Sequence, residues 1–329
     1  MDVLSRILES LRFNSSFYFA TNFHSPWAVK VPHYKNVARF HYVTQGICWV
    51  RIAGVSEPQL LSSGDLIVIP HGADHILSDT ADREPISLDE AFERVNYTGE
   101  GTFQIGEAIS PHDTQLVCGH FEFSEQFVHP LVSHLPPLIV QKESNGTEFS
   151  WLKDTLKFLS HTAKAQHDGS TAIIKRLSEV IFIQTIRFWS KQQATKRGFV
   201  AALNDKKLAN GLRIFHENYA ENWTVEKLAQ ESNMSRSLFA DRFKYYLDIS
   251  PMQYVTQWRM QNAKQMLVES DLSLDGIAHK IGYESGAAFS KAFKRLFDIN
   301  PGEFRKLSAE EKVILTNSES NSEKEFRSI

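Results

Sequence analysis

The sequence contains few cysteines and no long apolar run. Cys48 and Cys118 are the only cysteines among 329 residues, which is too few for a disulfide framework and is expected in a reducing cytoplasm. The apolar runs are short, as at 180–183, whereas a membrane-spanning helix needs about 20 apolar residues. The first residues lack the basic and then apolar pattern of a secretory signal. We therefore expect a cytoplasmic protein that makes no contact with a membrane.

A strong net charge is absent as well. The formal net charge is -3, so the bulk charge gives no indication of nucleic-acid binding, and any basic surface must be local. Between 206 and 306 the balance reverses, with fifteen Lys and Arg residues against twelve Asp and Glu residues. A surface that attracts nucleic acid is therefore to be sought in the C-terminal third.

Two kinds of pattern divide the chain. Short runs rich in β-branched and aromatic residues, at 29–52, 66–69 and 103–123, are separated by Gly and Pro, and this favours a small barrel or sandwich of strands. From 172 to 189 the apolar residues take helical spacing and form a wide face. Such a face must be covered, either by packing on the strands or by a second copy of the chain in a dimer.

The C-terminal part contains an internal repeat. The segment Thr-Val-Glu-Lys-Leu-Ala at 224–229 is followed forty-nine residues later by Ser-Leu-Asp-Gly-Ile-Ala at 273–278, and the second half of each copy matches at an offset of fifty. Each copy has a helix cap, a turn residue, a second cap and two phenylalanines spaced for one helix face. In the two copies these are Thr224 and Ser273, Asn233 and Gly282, Ser235 and Ser285, Phe239 and Phe289, and Phe243 and Phe293.

This repeat predicts two helix-turn-helix units. Asn and Gly tolerate the left-handed backbone of a tight turn between two helices, whereas a plain helical bundle would need neither matched caps nor matched turns. A long helix that begins at Ser250 and Pro251 joins the units, since proline is favoured at the first position of a helix. Two second helices held about one DNA turn apart can enter successive major grooves.

Basic side chains are found on both second helices. Positive charge at these positions suits phosphates and the edges of bases. We therefore predict double-stranded DNA as the partner and assign DNA contact to six basic residues. They are Arg236, Arg242, Lys244, Lys291, Lys294 and Arg295.

Five segments of this part resemble the AraC/XylS family of regulators. They read Trp-Thr-Val-Glu-Lys-Leu-Ala at 223–229, Met-Ser-Arg-Ser-Leu-Phe at 234–239, Ile-Gly-Tyr-Glu-Ser at 281–285, Phe-Ser-Lys-Ala-Phe-Lys at 289–294 and Asn-Pro-Gly-Glu-Phe-Arg at 300–305. The resemblance implies a monomer that inserts two helices into adjacent major grooves. We expect an activator that contacts RNA polymerase, with repression left open as the alternative. The resemblance further implies base-facing positions at Ser237, Ala240, Asp241, Gly286, Ala287, Ser290 and Lys291. Most of these side chains are short, which favours readout of DNA shape over direct hydrogen bonds.

The N-terminal part resembles the cupins. The run Gly-Asp-Leu-Ile-Val-Ile-Pro-His-Gly-Ala-Asp-His at 64–75 has the spacing of the second cupin motif, and 40–46 is similar to a reduced first motif. The resemblance implies a β-barrel sensor whose mouth holds an effector. The candidate effector-binding residues are Trp27, His41, Tyr42, His75, Cys118 and His120.

The first cupin motif is incomplete, which bears on metal binding. Its His-x-His pair and the following Glu are missing, and a metal ion needs three or four converging ligands. His41 and His75 are weak candidates for part of a site, with His71 or His120 to complete it, but we predict no metal and no cofactor. A metal-dependent cupin enzyme is the alternative to a regulator that is not an enzyme.

Cys118 leaves two alternatives for the signal. A thiol whose pKa is lowered by the neighbouring His120 would respond to an oxidant, whereas a buried cysteine acts as a small apolar side chain. In the second case the signal is a small molecule in the barrel, and we favour this alternative.

These features predict an α+β chain of four parts. Residues 1–190 form a cupin-like β-barrel with accessory helices, and this domain senses the effector and dimerises. Residues 191–205 are a linker, 206–308 form the all-α domain of two helix-turn-helix units, and 309–329 are a disordered tail. The predicted function is a sequence-specific DNA-binding transcription regulator, acting as a homodimer. Its N-terminal domain senses a small molecule or an oxidant and alters promoter binding or polymerase recruitment.

Overall fold

The computed structural model describes residues 3–10, 14–35, 37–99, 101–106, 113–122, 130–143, 154–156, 158, 162, 167–192 and 197–307. These residues cluster into two compact units. The unit that contains the strands lies within 14–122 and 135–192, and the helical unit comprises 3–10, 130–134 and 197–307.

Two predictions from the sequence concern the C-terminal tail and the membrane. The tail expected to be disordered, 309–329, lies outside the described residues. No helix within the described ranges is long and apolar enough to cross a membrane.

The first unit contains two β-sheets. Their strands are β1 (Asn14–Phe23), β2 (Ala28–Val31), β3 (Val37–Gln45), β4 (Ile47–Ile52), β5 (Gln59–Ser62), β6 (Leu66–Ile69), β7 (His75–Ser78), β8 (Ile86–Ser87), β9 (Thr102–Ile105), β10 (Gln115–Glu122) and β11 (Ile139–Gln141). A six-stranded sheet has the order β11-β6-β3-β10-β1-β9, and a five-stranded sheet has the order β5-β4-β7-β2-β8. The described strands therefore form two separate sheets, and the closed barrel expected from the sequence is not seen in this part of the chain.

The core of this unit combines side chains from both sheets. Val43 and Ile67 of the six-stranded sheet belong to the same buried cluster as Val50 and Leu77 of the five-stranded sheet. Every residue of β6 is buried, as expected for a strand that is covered on both faces.

Alternation along β3 decides which side chains reach this core. Successive residues of a strand point to opposite faces. Phe40 stacks on Phe121 with ring centroids 5.3 Å apart, and Phe121 in turn packs on Phe182 of a helix at 4.9 Å. Arg39 and His41 therefore point the other way, toward the five-stranded sheet.

Further helices in the described ranges include α1 (Val3–Ser10), α2 (Leu88–Val95), α3 (Pro130–Ser133) and α4 (Ser170–Gln192). Helices α1 and α3 belong to the helical unit, and α2 and α4 belong to the unit with the sheets. The helical spacing predicted at 172–189 is confirmed by α4, which packs on β1 and β10. Its residues Phe182 and Ile186 are buried, while Ile173 and Val180 remain exposed on the other side. The sheet thus covers one side of the wide apolar face but not all of it.

The second cupin motif forms the expected tight turn between β6 and β7. Gly72 has a φ of 61°, and a Cβ atom at this position would lie 2.2 Å from the carbonyl oxygen of Tyr34. Only glycine fits this close approach. The turn places His75 at the start of β7.

The C-terminal part of the helical unit contains the repeat and the two helices before it. Its helices are α5 (Phe199–Asn204), α6 (Lys206–Glu217), α7 (Val225–Glu231), α8 (Arg236–Leu247), α9 (Pro251–Glu269), α10 (Leu274–Lys280), α11 (Gly286–Phe297) and α12 (Pro301–Lys306). The caps predicted at Thr224, Ser235, Ser250, Ser273 and Ser285 are confirmed, because each side chain accepts a hydrogen bond from a backbone N–H of the first turn. 

The segment expected to be a linker contains the short helix α5. Its residues Phe199 and Ala202 are buried, and the ring of Phe199 lies 6.2 Å from that of Tyr254 on α9. Asp205 follows α5 and caps α6 through hydrogen bonds from the N–H groups of Lys207 and Leu208. The C-terminal part of the predicted linker is thus packed on the helical unit.

Candidate DNA-binding helices and ligand cavity

The first helix-turn-helix unit presents the outer face of α8. The turn before it is made by Asn233, whose φ is 50°, as predicted for a residue that tolerates the left-handed region. Phe239 and Phe243 point inward, with ring centroids 5.6 Å apart. Of the predicted DNA contacts on this helix, Arg236, Ser237, Asp241 and Lys244 are exposed, and Ala240 and Arg242 are half-buried.

The second helix-turn-helix unit has the same arrangement, with α11 as its second helix. Gly282 makes the turn with a φ of 82°, and Phe289 and Phe293 are buried at 5.6 Å from each other. Of the predicted contacts on this helix, Ala287, Lys291, Lys294 and Arg295 are exposed, and Ser290 is half-buried.

Gly286 is the one predicted base-facing residue that is buried. Its N–H donates to Oδ1 of Asp275 at 2.7 Å, and a Cβ atom there would lie 2.7 Å from the same oxygen. Gly286 therefore lets α11 approach α10 closely, which is a packing role and leaves no side chain to contact a base.

Two arginines of the first helix-turn-helix unit form ion pairs with carboxylates. Nε of Arg236 lies 2.6 Å from Oε1 of Glu226 on α7, and Nε of Arg242 lies 2.8 Å from Oδ2 of Asp205. Both arginines remain at least two-fifths exposed, so these pairs orient the side chains and contribute little stability. 

Sequence reasoning did not single out two large side chains on α8. Leu238 and Tyr245 are each close to half exposed, and they share a face with Asp241 because positions three, four and seven residues apart lie together on a helix. An apolar side chain on a recognition helix can contact the methyl group of thymine. The sequence could have indicated this contact, because Leu238 is an apolar residue at a position that neither caps the helix nor belongs to its buried face.

A cavity lies in the core of the sheet unit. The cavity encloses little free space, and most of its lining is apolar. The lining consists of Phe23, Val29, Val31, Leu77, Leu88, Phe92 and Phe103 on the apolar side, and of Thr21, Arg39, His41 and Cys118 on the polar side. A cavity of this kind, with few polar groups in an apolar wall, is typical of a small-molecule site.

A buried chain of hydrogen bonds leads away from the polar side of the cavity. Sγ of Cys118 lies 3.0 Å from Nδ1 of His41, Nε2 of His41 lies 2.8 Å from Nε2 of His75, and Nδ1 of His75 lies 2.8 Å from the carbonyl oxygen of Ala73. A carbonyl only accepts, so Nδ1 of His75 carries a proton and, in neutral rings, each group donates toward Ala73. Cys118 is thereby the thiol donor at the head of the chain.

Burial keeps these groups uncharged. It lowers the pKa of His75 to about 4, and burial together with the adjacent His75 and Arg39 lowers the pKa of His41 well below its usual value. Burial also raises the pKa of the Cys118 thiol far above its usual value. This environment disfavours the thiolate that an oxidant-sensing cysteine needs.

The other predicted effector-binding residues lie around the cavity rather than in its described lining. The ring of Trp27 packs on Phe23 at 4.7 Å, and Tyr42 is on the opposite face of β3 from His41. His75 contacts the cavity residue His41, and His120 is absent from the described lining. Burial lowers the pKa of His120 to about 3. Of the predicted set, His41 and Cys118 line the cavity.

Of the predicted metal ligands in the described part of the chain, His41 and His75 meet at 2.8 Å, but no third ligand forms a metal-holding group with them. His71 is occupied elsewhere, because its Nε2 donates to the carbonyl of Leu135 at 2.8 Å. Among the described residues no group of three or more His, Cys, Asp or Glu side chains is placed to hold a metal ion.

Comparison with known proteins gives two family matches. A model described as cupin (Cupin_6) matches residues 2–191, and a model described as helix-turn-helix domain matches residues 228–307.

Several curated relatives match nearly the whole chain. The HTH-type transcriptional regulator AlkR of Acinetobacter baylyi is 29% identical over 310 residues, which cover 94% of this chain and 100% of the relative. A putative AraC-like transcription regulator of Streptomyces lividans is 29% identical, with 93% and 98% covered. The RCS-specific HTH-type transcriptional activator RclR of Escherichia coli is 26% identical, with 93% and 97% covered.

The buried histidines predict a stability that depends on pH. The pKa of His75 is about 4 in the folded chain against 6.5 for an ordinary histidine, so the unfolded chain binds more protons between these values. The free energy of unfolding therefore falls as the pH drops below 6.5, by about 2 kcal/mol for His75 alone between pH 7 and pH 5.

Calorimetric unfolding of the full-length protein at pH 5 and pH 7 measures this effect. We expect His75→Gln to lower Tm at pH 7 and to reduce the difference in Tm between the two pH values. His33→Gln, at an exposed position, is the matched control and keeps the full difference. An unchanged difference in the His75 variant would show that this histidine is not a source of the acid sensitivity.

Proposed function

This chain belongs to the cupin family and is a DNA-binding transcription regulator of the AraC type, and on that premise we propose that a small molecule in the cupin cavity controls how its two helix-turn-helix units bind a promoter. The observation that carries the DNA-binding part is the matched pair of capped, exposed second helices, α8 and α11. The observation that carries the sensing part is the mostly apolar cavity with His41 and Cys118 in its polar side.

Both second helices enter the major groove of one duplex in this proposal. Short side chains at Ser237, Ala240, Ala287 and Ser290 allow the helices to approach the bases closely, and Leu238 adds an apolar contact. The exposed cations of both helices bind phosphates or base edges. Because direct hydrogen bonds to bases are few, the spacing and shape of the site contribute much of the specificity.

The basic residues differ in how ready they are to bind DNA. Arg236 and Arg242 must leave or share their carboxylate partners, Glu226 and Asp205. Among the described residues no carboxylate lies within ion-pair distance of Lys291. We therefore propose that the second unit supplies the stronger electrostatic attraction and the first unit the larger apolar contact.

The effector is a small and mainly apolar molecule in this proposal. The apolar wall contacts the apolar part of the effector, and Thr21, Arg39 and His41 contact its polar group. An oxidant acting on Cys118 is the less favoured signal, because the thiol donates to a neutral imidazole and its thiolate is disfavoured by burial. We propose regulation and not turnover of the bound molecule, since the relatives are named as regulators.

The remaining parts of the proposal concern assembly and location. We propose a cytoplasmic homodimer that activates transcription by contact with RNA polymerase. Ile173 and Val180, on the exposed side of α4, are the proposed centre of the dimer interface. Sensing and dimerisation are assigned to 1–190 and DNA binding to 206–308.

Substitutions on the two second helices test the DNA-binding assignment. Lys291→Ala and Arg236→Ala should each weaken binding by about 1–3 kcal/mol if the side chain contacts a base, and by a similar amount on all sequences if it contacts a phosphate. Arg213→Ala is the control, because Arg213 is exposed on α6 and pairs with Glu217 one turn away. The measurement is a gel-shift titration on duplexes selected by the wild-type protein. Wild-type affinity in both second-helix variants would refute the assignment.

Filling the cavity tests the sensing assignment. Val31 lines the cavity, and Val31→Phe should occupy part of its volume. We expect the regulated promoter to lose its response to the growth conditions that change wild-type output, while the purified variant still binds DNA. Val95→Phe places the same extra volume on the exposed side of α2 and should respond as the wild type does. A Val31→Phe variant with a normal response would count against the cavity as the effector site.

A further inference from the structure

The two helix-turn-helix units are connected by more than the long helix α9. Arg259, near the middle of α9, is buried. Its Nε donates to the carbonyl of Tyr219 at 2.9 Å, its Nη1 donates to the carbonyl of Gly282 at 3.1 Å, and its Nη2 donates to the carbonyl of Glu221. One buried guanidinium is thus bound to three backbone carbonyls from two distant segments.

These carbonyls come from two separate segments of the helical unit. Tyr219 and Glu221 lie between α6 and α7, directly before the first helix-turn-helix unit, whereas Gly282 is the turn of the second unit. The guanidinium is planar and presents its donors in a fixed arrangement. Bonds to all three carbonyls therefore fix the turn of the second unit relative to the segment that leads into the first.

The two segments also pack directly on each other. A Cβ atom at Gly282 would lie 2.2 Å from the carbonyl oxygen of Ala220 and 2.7 Å from Nη2 of Arg259. Tyr219 packs against the core of the second helix-turn-helix unit, a cluster that includes Ile281 and Phe289. The contact is too close to permit any side chain at the turn.

Each unit has a core that does not include Arg259. In the first unit Phe243 packs on Phe239 and on Tyr254, at 5.6 Å in both cases. In the second unit Phe289 and Phe293 pack among Met260 and Ile277 on neighbouring helices. Loss of the guanidinium would therefore loosen the connection between the units before it unfolds either of them.

We propose that Arg259 is a positioning residue for DNA recognition, which fixes the distance and rotation between α8 and α11 and thereby sets the spacing of the two half-sites that the protein accepts. The physical reason is that one inserted base pair moves a half-site by about 3.4 Å along the duplex and rotates it around the axis. A rigid pair of helices cannot follow this change, whereas a loosened pair can. The inference rests on the contact of both helices with one duplex, as proposed above.

The test compares spacing profiles of the full-length protein. The probes are the duplex selected by the wild-type protein from a random library and its derivatives with one base pair inserted or removed between the half-sites. The proteins are the wild type, Arg259→Lys and Arg213→Lys, which makes the same change at an exposed position of α6. Active concentration is determined by stoichiometric titration, so that partly unfolded protein does not enter the affinity.

The expected result is a loss of discrimination in one variant only. The wild type and Arg213→Lys should bind the selected spacing about tenfold or more tightly than the altered spacings, as for a mismatched site. Arg259→Lys should bind the selected spacing more weakly and should discriminate less than threefold. If Arg259→Lys loses affinity by the same factor at every spacing, it acts on stability alone and the inference is wrong. A wild type without a spacing preference would overturn the two-groove proposal itself.

A second pair of variants tests the same contact without changing Arg259. Gly282→Asn keeps a residue that tolerates the left-handed region, since Asn233 makes the equivalent turn with a φ of 50°. Its Cβ would displace the turn from Ala220. The control is Asn233→Gly, which changes the turn of the first unit and not this contact. We expect a flattened spacing profile for Gly282→Asn only, and a wild-type profile in both would contradict the role of the contact.

Discussion

The distance between two short helices is the constraint on which DNA recognition by this chain depends. The major grooves on one face of a duplex repeat about every 34–36 Å, so two recognition helices can be used together only if they are held in fixed register. Helix α9 supplies the length of the connection. The guanidinium of Arg259 supplies its rigidity, because it binds carbonyls of Tyr219, Glu221 and Gly282 at once. In the proposed complex the side chains that face DNA on α8 and α11 are mostly short, and this register then contributes more to specificity than any single base contact.

The sheet unit meets a different constraint, which is to keep polar groups in an apolar core without charge. Its solution is a row of hydrogen bonds from Cys118 through His41 and His75 to the carbonyl of Ala73. Since the carbonyl fixes the direction of every donor, the row exposes only a thiol and the edge of one imidazole to the cavity. In the proposed sensing function, a ligand at this end is therefore recognised by the direction of its hydrogen bonds and not by charge on the histidines.

The sequence was most informative where local chemistry decides the structure. The caps at Thr224 and Ser273 and the turns at Asn233 and Gly282 follow from the preferences of single residues, so both helix-turn-helix units could be predicted. Packing between distant segments could not be. The family resemblance implies a base-facing position for Gly286, yet its burial depends on Asp275, eleven residues away.

The other differences between the predictions and the structure concern which face of a strand a side chain lies on and which distant segments contact each other. Tyr42 and His41 are neighbours on β3, and only the register of the sheet shows which of them reaches the cavity. The polar segment before α6 reads as a linker, but Phe199 anchors it on Tyr254. In the sequence Arg259 is an ordinary basic residue of a predicted helix, and nothing local to it indicates three carbonyl partners.

The central claim is that one copy of the chain binds both recognition helices to a single duplex. The most direct measurement is chemical footprinting of major-groove guanines on the selected duplex at full occupancy, together with the number of protein copies bound to that duplex. The account predicts two protected patches for each bound copy, on one face of the DNA and separated by about one helical turn of 10–10.5 base pairs. A single protected patch for each bound copy would contradict it.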